Sequence, residues 1–166
     1  AFMHMLPGDV IDALAGEASE TDWVLVHDAA RPCLRRQDLN LLFDRLASDP
    51  VGGLLAVPVS DTLKRADDGQ RALETVPRDG LWRALTPQMF RFGLLRRALR
   101  LCLERDRVIT DEASAIESLG LRPQLVRGRA DNIKVTNPED AALAEAILRQ
   151  QTAWEPATAQ HREGGR

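Results

Sequence analysis

The feature that most constrains this chain is a repeated juxtaposition: a short apolar run, then at once a polar cluster. Trp23–Val26 runs straight into His27-Asp28-Ala29-Ala30-Arg31-Pro32, and the aliphatic run Leu54–Val59 into Asp61-Thr62-Leu63-Lys64-Arg65. Runs this short, bounded by turn residues, read as buried strands. Between and after them lie segments of helical period. Leu39, Leu42, Phe43 and Leu46 fall at i, i+3, i+4 and i+7 within a helix expected over 37–47, and Leu94, Leu95, Ala98, Leu99 and Cys102 form a second stripe. Strands alternating with helices predict an α/β fold with a largely parallel sheet. Open sheets of this kind bind ligands outside the carboxyl ends of their strands, so the polar clusters are the positions to watch.

Further signals fill in the order. Asp67-Asp68-Gly69 sits between the half-polar segments 62–65 and 73–76, which predicts a hairpin. Two strands bury too little to stand alone, so such a hairpin projects and needs a partner surface. A helix is expected over about 111–119 with Thr110 as N-cap and Gly120 as stop, and strands over 124–126 and 133–135. Thr136-Asn137-Pro138-Glu139 opens a last helix expected to reach about Gln150. A short helix lined by Val10, Ile11 and Leu14 is expected near the amino end, and 155–166 reads as a disordered tail after one domain over 1–154.

Composition narrows the function classes. With 22 basic and 25 acidic residues the net charge is −3, so no basic field recruits nucleic acid or an anionic membrane. The apolar runs are far shorter than the ~20 residues of a membrane helix. Cys33 and Cys102 are too few for a disulfide scaffold, and no Cys–His pair has metal spacing, so no metal ligand is assigned. A reduced, cytoplasmic protein is the expectation. Gly-x-Gly-x-x-Gly and Gly-x-x-x-x-Gly-Lys do not occur in the sequence.

Four clusters carry candidate chemistry. Asp28 and Arg31, three residues apart on a turn, suit a hydroxyl or metal and a phosphate respectively, or else cap and pair with one another. Asp61–Arg65 fits either a ligand edge or gatekeeper charges on a solvated strand. In 78–88, Trp82 suits a core as well as a ligand platform, beside the run Thr86-Pro87-Gln88. Thr110-Asp111-Glu112 joins Asp131-Asn132-Ile133-Lys134, where Lys134 on a strand faces opposite to Ile133 and Val135, into a cleft or into solvent.

In order, Val24–Pro32 (Val-Leu-Val-His-Asp-Ala-Ala-Arg-Pro), Asp61-Thr62-x-Lys64, Gly80-Leu81-Trp82-x-Ala84-Leu85-Thr86-Pro87-Gln88, Thr110–Ser114 and Gly128-x-x-x-Asn132-Ile133-Lys134-Val135-Thr136-x-Pro138-Glu139-Asp140 resemble the 2-C-methyl-D-erythritol 4-phosphate cytidylyltransferases. The resemblance runs from about Trp23 to Ile147, about three quarters of the chain. It implies a Rossmann-like nucleotidyltransferase fold and transfer of a cytidylyl group from CTP to methylerythritol phosphate, with Mg2+ accompanying the nucleotide. It further implies that Asp28 contacts substrate hydroxyls, Arg31 orients that loop, and Thr62, Thr86 and Thr110 line the polyol-phosphate pocket. Lys134 then lies near the α-phosphate. The hairpin within about 61–82 corresponds to a dimerisation arm, with Arg78 reaching the substrate phosphate in the partner subunit of a homodimer.

The family's glycine-rich loop, which cradles CTP with an arginine and a lysine, has no counterpart in this sequence, so residues contacting CTP are not assigned. The expectation is a chain lacking its nucleotide-binding amino-terminal segment, with weak or absent CTP turnover. Two other readings fit the same residues: a non-catalytic polyol-phosphate-binding and dimerisation module, and a pentitol-phosphate (ribitol-type) cytidylyltransferase.

Overall fold

A computed structural model describes residues 16–154. Four strands make the main sheet in the order β1 (Trp23–Val26), β5 (Trp82–Arg91), β2 (Gly52–Pro58), β6 (Gln124–Arg127). Helix α1 (Arg36–Leu46) covers one face, and α2 (Phe92–Glu104) with α3 (Glu112–Glu117) the other. The last helix, α4 (Pro138–Trp154), is tied to the body at Cys33: Gln151 Nε2 donates to the Cys33 carbonyl at 2.9 Å. Among the described residues no helix is long and apolar enough to cross a membrane.

Successive side chains of a strand point to opposite faces, so a strand covered on both faces is apolar throughout. Accordingly Leu54 packs with Phe90, Leu95, Leu99 and Ile116, whereas Leu55 packs with Leu42, Leu46, Met89 and Val126. Two glycines let β2 fit between its neighbours. At Gly52 (φ +98°) a Cβ would sit 2.3 Å from the Met89 carbonyl oxygen, and at Gly53 2.1 Å from that of Gln124. They are the first residues of the strand.

The α/β architecture stands, but the sheet is mixed. β1, β2 and β6 share one direction while β5 runs against both its neighbours. The cause is the connection: β2 reaches β5 through a hairpin, not a helical crossover, and a hairpin route returns the chain antiparallel. That hairpin, β3 (Leu63–Ala66) and β4 (Ala72–Val76), forms its own two-stranded sheet with mostly exposed residues. β5 itself was legible only as a polar cluster.

Other expectations shift in detail. On α1 the buried residues are Asp38, Leu42 and Leu46, while Phe43 is exposed, so the buried stripe is rotated toward Asp38. The cap of α3 is Asp111, not Thr110: its carboxylate accepts from the Ser114 backbone N–H, and Ser114 Oγ accepts from the Asp111 N–H. At α4 the capping runs backward. Asp140 Oδ2 accepts from Thr136 N, Thr136 Oγ1 and Asn137 N. Residues 133–135 are extended without being a strand, anchored by the Val135 N–H on the Ala30 carbonyl at 2.8 Å. The expected helix around Val10–Leu14 and the tail over 155–166 lie outside the described residues.

Candidate functional site

Two loops meet over β5 at the carboxyl ends of β1 and β6. The turn after β1 closes through the Arg31 N–H on the Asp28 carbonyl at 2.9 Å. Asp28 Oδ2 then lies 3.3 Å from Arg31 Nε and 3.2 Å from Lys134 Nζ. Lys134 arrives from the loop after β6, and the pairing of Val135 with Ala30 lays that loop along the turn. One carboxylate thus faces two cations.

β5 supplies the floor. Its register against β2 slips between Leu54 and Ala56, where three residues of β5 (Leu85 to Pro87) answer the single Leu55 of β2. The slip holds Leu85, Thr86 and Pro87, and a bulge of this sort re-aims side chains. Thr86 Oγ1 accepts from the Asp28 backbone N–H at 3.0 Å and lies 2.9 Å from His27 Nδ1. Two buried amides lock the surroundings. Asn132 donates from Nδ2 to the Thr86 carbonyl (2.8 Å), and its backbone carbonyl accepts from Arg31 Nη1 (2.9 Å). Gln88 donates to Asp111 Oδ2 (2.9 Å) and accepts from the Ala113 N–H (2.7 Å), pinning the start of α3 to the sheet.

Four expected residues are therefore brought together by direct bonds: Asp28, Arg31, Thr86 and Lys134. Thr110 is exposed and is not bonded to this group; its backbone N–H donates to Ser114 Oγ at the head of α3. Thr62 and Arg78 are exposed at the base of the arm, where Arg78 Nη1 donates to the Ser60 carbonyl of its own chain. Residue reading gave no role to His27, Gln88 or Asn132. The signal for Gln88 was a polar amide between Pro87 and Met89-Phe90, an apolar setting in which an amide is retained where its bonds are made.

Electrostatics sharpen the picture. Burial pushes the Glu112 carboxyl above its ordinary range, with repulsion from Asp111 and Asp28 adding to it. On the α1 side, burial likewise raises Asp38, which Arg129 offsets from 3.4 Å. Arg35 pairs with Asp131 and holds down the loop that carries Asn132 and Lys134. Among the described residues no three His, Cys, Asp or Glu side chains converge as a metal site. Asp28, the acid at the loop crossing, is already paired with two cations. The described residues do not fit a magnesium ion of their own. A separate cavity of about 220 Å³ is lined by Leu54, Trp82, Asp111 and Leu125, and none of Asp28, Arg31, Thr86 and Lys134 lines it.

The model of the family described as 2-C-methyl-D-erythritol 4-phosphate cytidylyltransferase (IspD) matches residues 8–150. The chain belongs to that family. Its relatives include the enzyme of that name from Dechloromonas aromatica, 64% identical over 137 residues that cover 82% of this chain and 58% of that protein. The Azoarcus sp. protein of the same name is 61% identical over 140 residues, covering 84% and 58%. The solved Francisella tularensis IspD superposes with a TM-score of 0.79 at 37% identity over 86% of this chain and 67% of that one. The chain thus spans 58% of the length of these two curated relatives. The IspD family is one of cytidylyltransferases with a Rossmann-like nucleotidyltransferase fold, so the fold implied by the sequence motifs is the fold found.

Proposed function

We propose that this chain carries the polyol-phosphate site of an IspD cytidylyltransferase. The protein to which it belongs transfers a cytidylyl group from CTP to 2-C-methyl-D-erythritol 4-phosphate. The observation that carries the reading is the crossing of Lys134 and Arg31 on Asp28, backed by Thr86, at the strand ends. A polyol phosphate asks for cations to meet an anion and for a carboxylate and hydroxyl oxygens to meet its hydroxyls, and this crossing supplies both.

In the reaction an oxygen of the polyol's phosphate attacks the α-phosphorus of CTP. A new P–O bond forms, the bond to the β-phosphate oxygen breaks, and pyrophosphate leaves. The protein's share is alignment and charge neutralisation. Lys134 exchanges its Asp28 partner for the substrate phosphate. Asp28, relieved of that contact and still held by Arg31, accepts from polyol hydroxyls. Thr62 and Thr110 extend the pocket. Arg78 acts from the partner subunit of a homodimer built on the β3–β4 arm, its exposed strands finding there the surface that a lone hairpin lacks. Magnesium belongs to this reading as a companion of the triphosphate, and the cytoplasm as the compartment of its substrates.

The relatives' activity supports methylerythritol phosphate over a pentitol phosphate. Calorimetric titration of the chain with methylerythritol phosphate and, separately, ribitol 5-phosphate tests it. Tighter binding of the former is expected, with Lys134→Met weakening it by about 10- to 100-fold, the loss of a charge-assisted contact. Binding indifferent to Lys134 contradicts the reading.

A further inference from the structure

We propose that His27 is a positioning residue that fixes Thr86 as a hydrogen-bond acceptor, so that this part of the site takes a ligand hydroxyl and refuses a phosphoryl oxygen. The inference deepens the polyol-phosphate reading and rests on it for the ligand, though not for the state of His27.

The proton arrangement follows from the partners. His27 Nε2 lies 3.0 Å from the Arg31 carbonyl oxygen, which can only accept, so Nε2 carries the proton. In the neutral ring Nδ1 is then a bare acceptor. Its neighbour at 2.9 Å is Thr86 Oγ1, whose hydroxyl must donate to it. The same oxygen receives the Asp28 backbone N–H at 3.0 Å. The tautomer is assigned from these partners. Thr86 has spent its one proton on His27 and one lone pair on Asp28, and a single lone pair remains. A hydroxyl can donate to it, whereas an ionised phosphate oxygen, itself only an acceptor, is repelled. The anion is left to Lys134 and Arg31. His27 thereby divides the site into a hydroxyl side and a phosphate side while bracing the turn from Asp28 to Arg31. The ring itself is exposed, so packing does not account for it.

Two measurements on the full chain test this. Long-range 1H–15N NMR of the His27 ring is expected to show a protonated Nε2 and a bare Nδ1. A protonated Nδ1, or a mixture of tautomers, overturns the proposal whether or not any ligand binds. Titration with methylerythritol phosphate and with inorganic phosphate then separates the two sides. His27→Phe is expected to weaken the polyol phosphate by about tenfold and inorganic phosphate by less than about twofold, as loss of one oriented hydrogen bond implies. His27→Asn, whose amide oxygen can replace Nδ1 as acceptor, is expected to recover most of that loss. Equal losses for the two ligands, or no recovery in His27→Asn at an unchanged Tm, overturn the assignment. If the unmodified chain fails to bind methylerythritol phosphate, the functional reading falls while the NMR result still decides His27.

Discussion

Asp28 and Lys134 meet at 3.2 Å with about a third and nearly half of their side chains exposed. A pair so open to water stabilises a fold by about 1 kcal/mol at most. Lys134→Met is therefore expected to leave Tm almost unchanged while it removes phosphate affinity, and a large fall in Tm would mean that the pair serves the fold. Asn132 is the opposite case. Fully buried, its side-chain amide ties the loop that carries Lys134 to the Thr86 carbonyl of β5, so Asn132→Ala is expected to cost about 2 kcal/mol in denaturant unfolding, as that carbonyl loses its donor and the site it filled is left empty. Glu112 is a residue the fold tolerates at a cost. Burial favours its neutral form, and its folded-state pKa is raised. Stability from such a group is complete below the unfolded-state pKa and lost as pH rises through the folded one. Glu112→Gln is expected to raise Tm near pH 7 and to gain nothing near pH 4 in parallel thermal melts.

At the scale of elements, backbone contact decides what is replaceable. Gly53→Ala puts a methyl carbon 2.1 Å from the Gln124 carbonyl oxygen, inside a strand pair that cannot yield locally. A loss of about 3 kcal/mol is expected in denaturant unfolding, and a loss below about 1 kcal/mol would show that β6 can move away. At the head of α4, hydrogen bonds from the Thr136 and Asn137 backbone hold the Asp140 carboxyl below its ordinary pKa. That contribution is present above the unfolded-state pKa and lost as pH falls through the folded one. Asp140→Asn is thus expected to lower Tm at neutral pH, with the gap closing in acid. Much of this level was legible in the residues. The 54–59 run, the stripe on α2 and the Asp67-Asp68-Gly69 hairpin each declare their structure by period or turn chemistry. β5 did not, because its Thr86-Pro87 slip and buried Gln88 break the alternation a strand is known by. Phe43 misled, because spacing gives a stripe's width but not which edge of it turns inward. Of the site, Asp28, Arg31 and Lys134 were visible as charges at strand ends. His27, Gln88 and Asn132 were not, since their role lies in partners that only folding supplies.

For the whole molecule, helices on both faces of a mixed sheet leave one end open, and there the β1 turn, the bulge of β5 and the loop after β6 bring Asp28, Thr86 and Lys134 together. The account rests on that crossing being where the polyol phosphate binds. The direct measurement is a crystal structure of the chain with methylerythritol phosphate. The account predicts the phosphate within hydrogen-bond distance of Lys134 Nζ, hydroxyls on Asp28 and Thr86 Oγ1, and the Lys134–Asp28 pair opened. A ligand seated instead in the cavity lined by Leu54, Trp82 and Leu125, with that pair still closed, would contradict it.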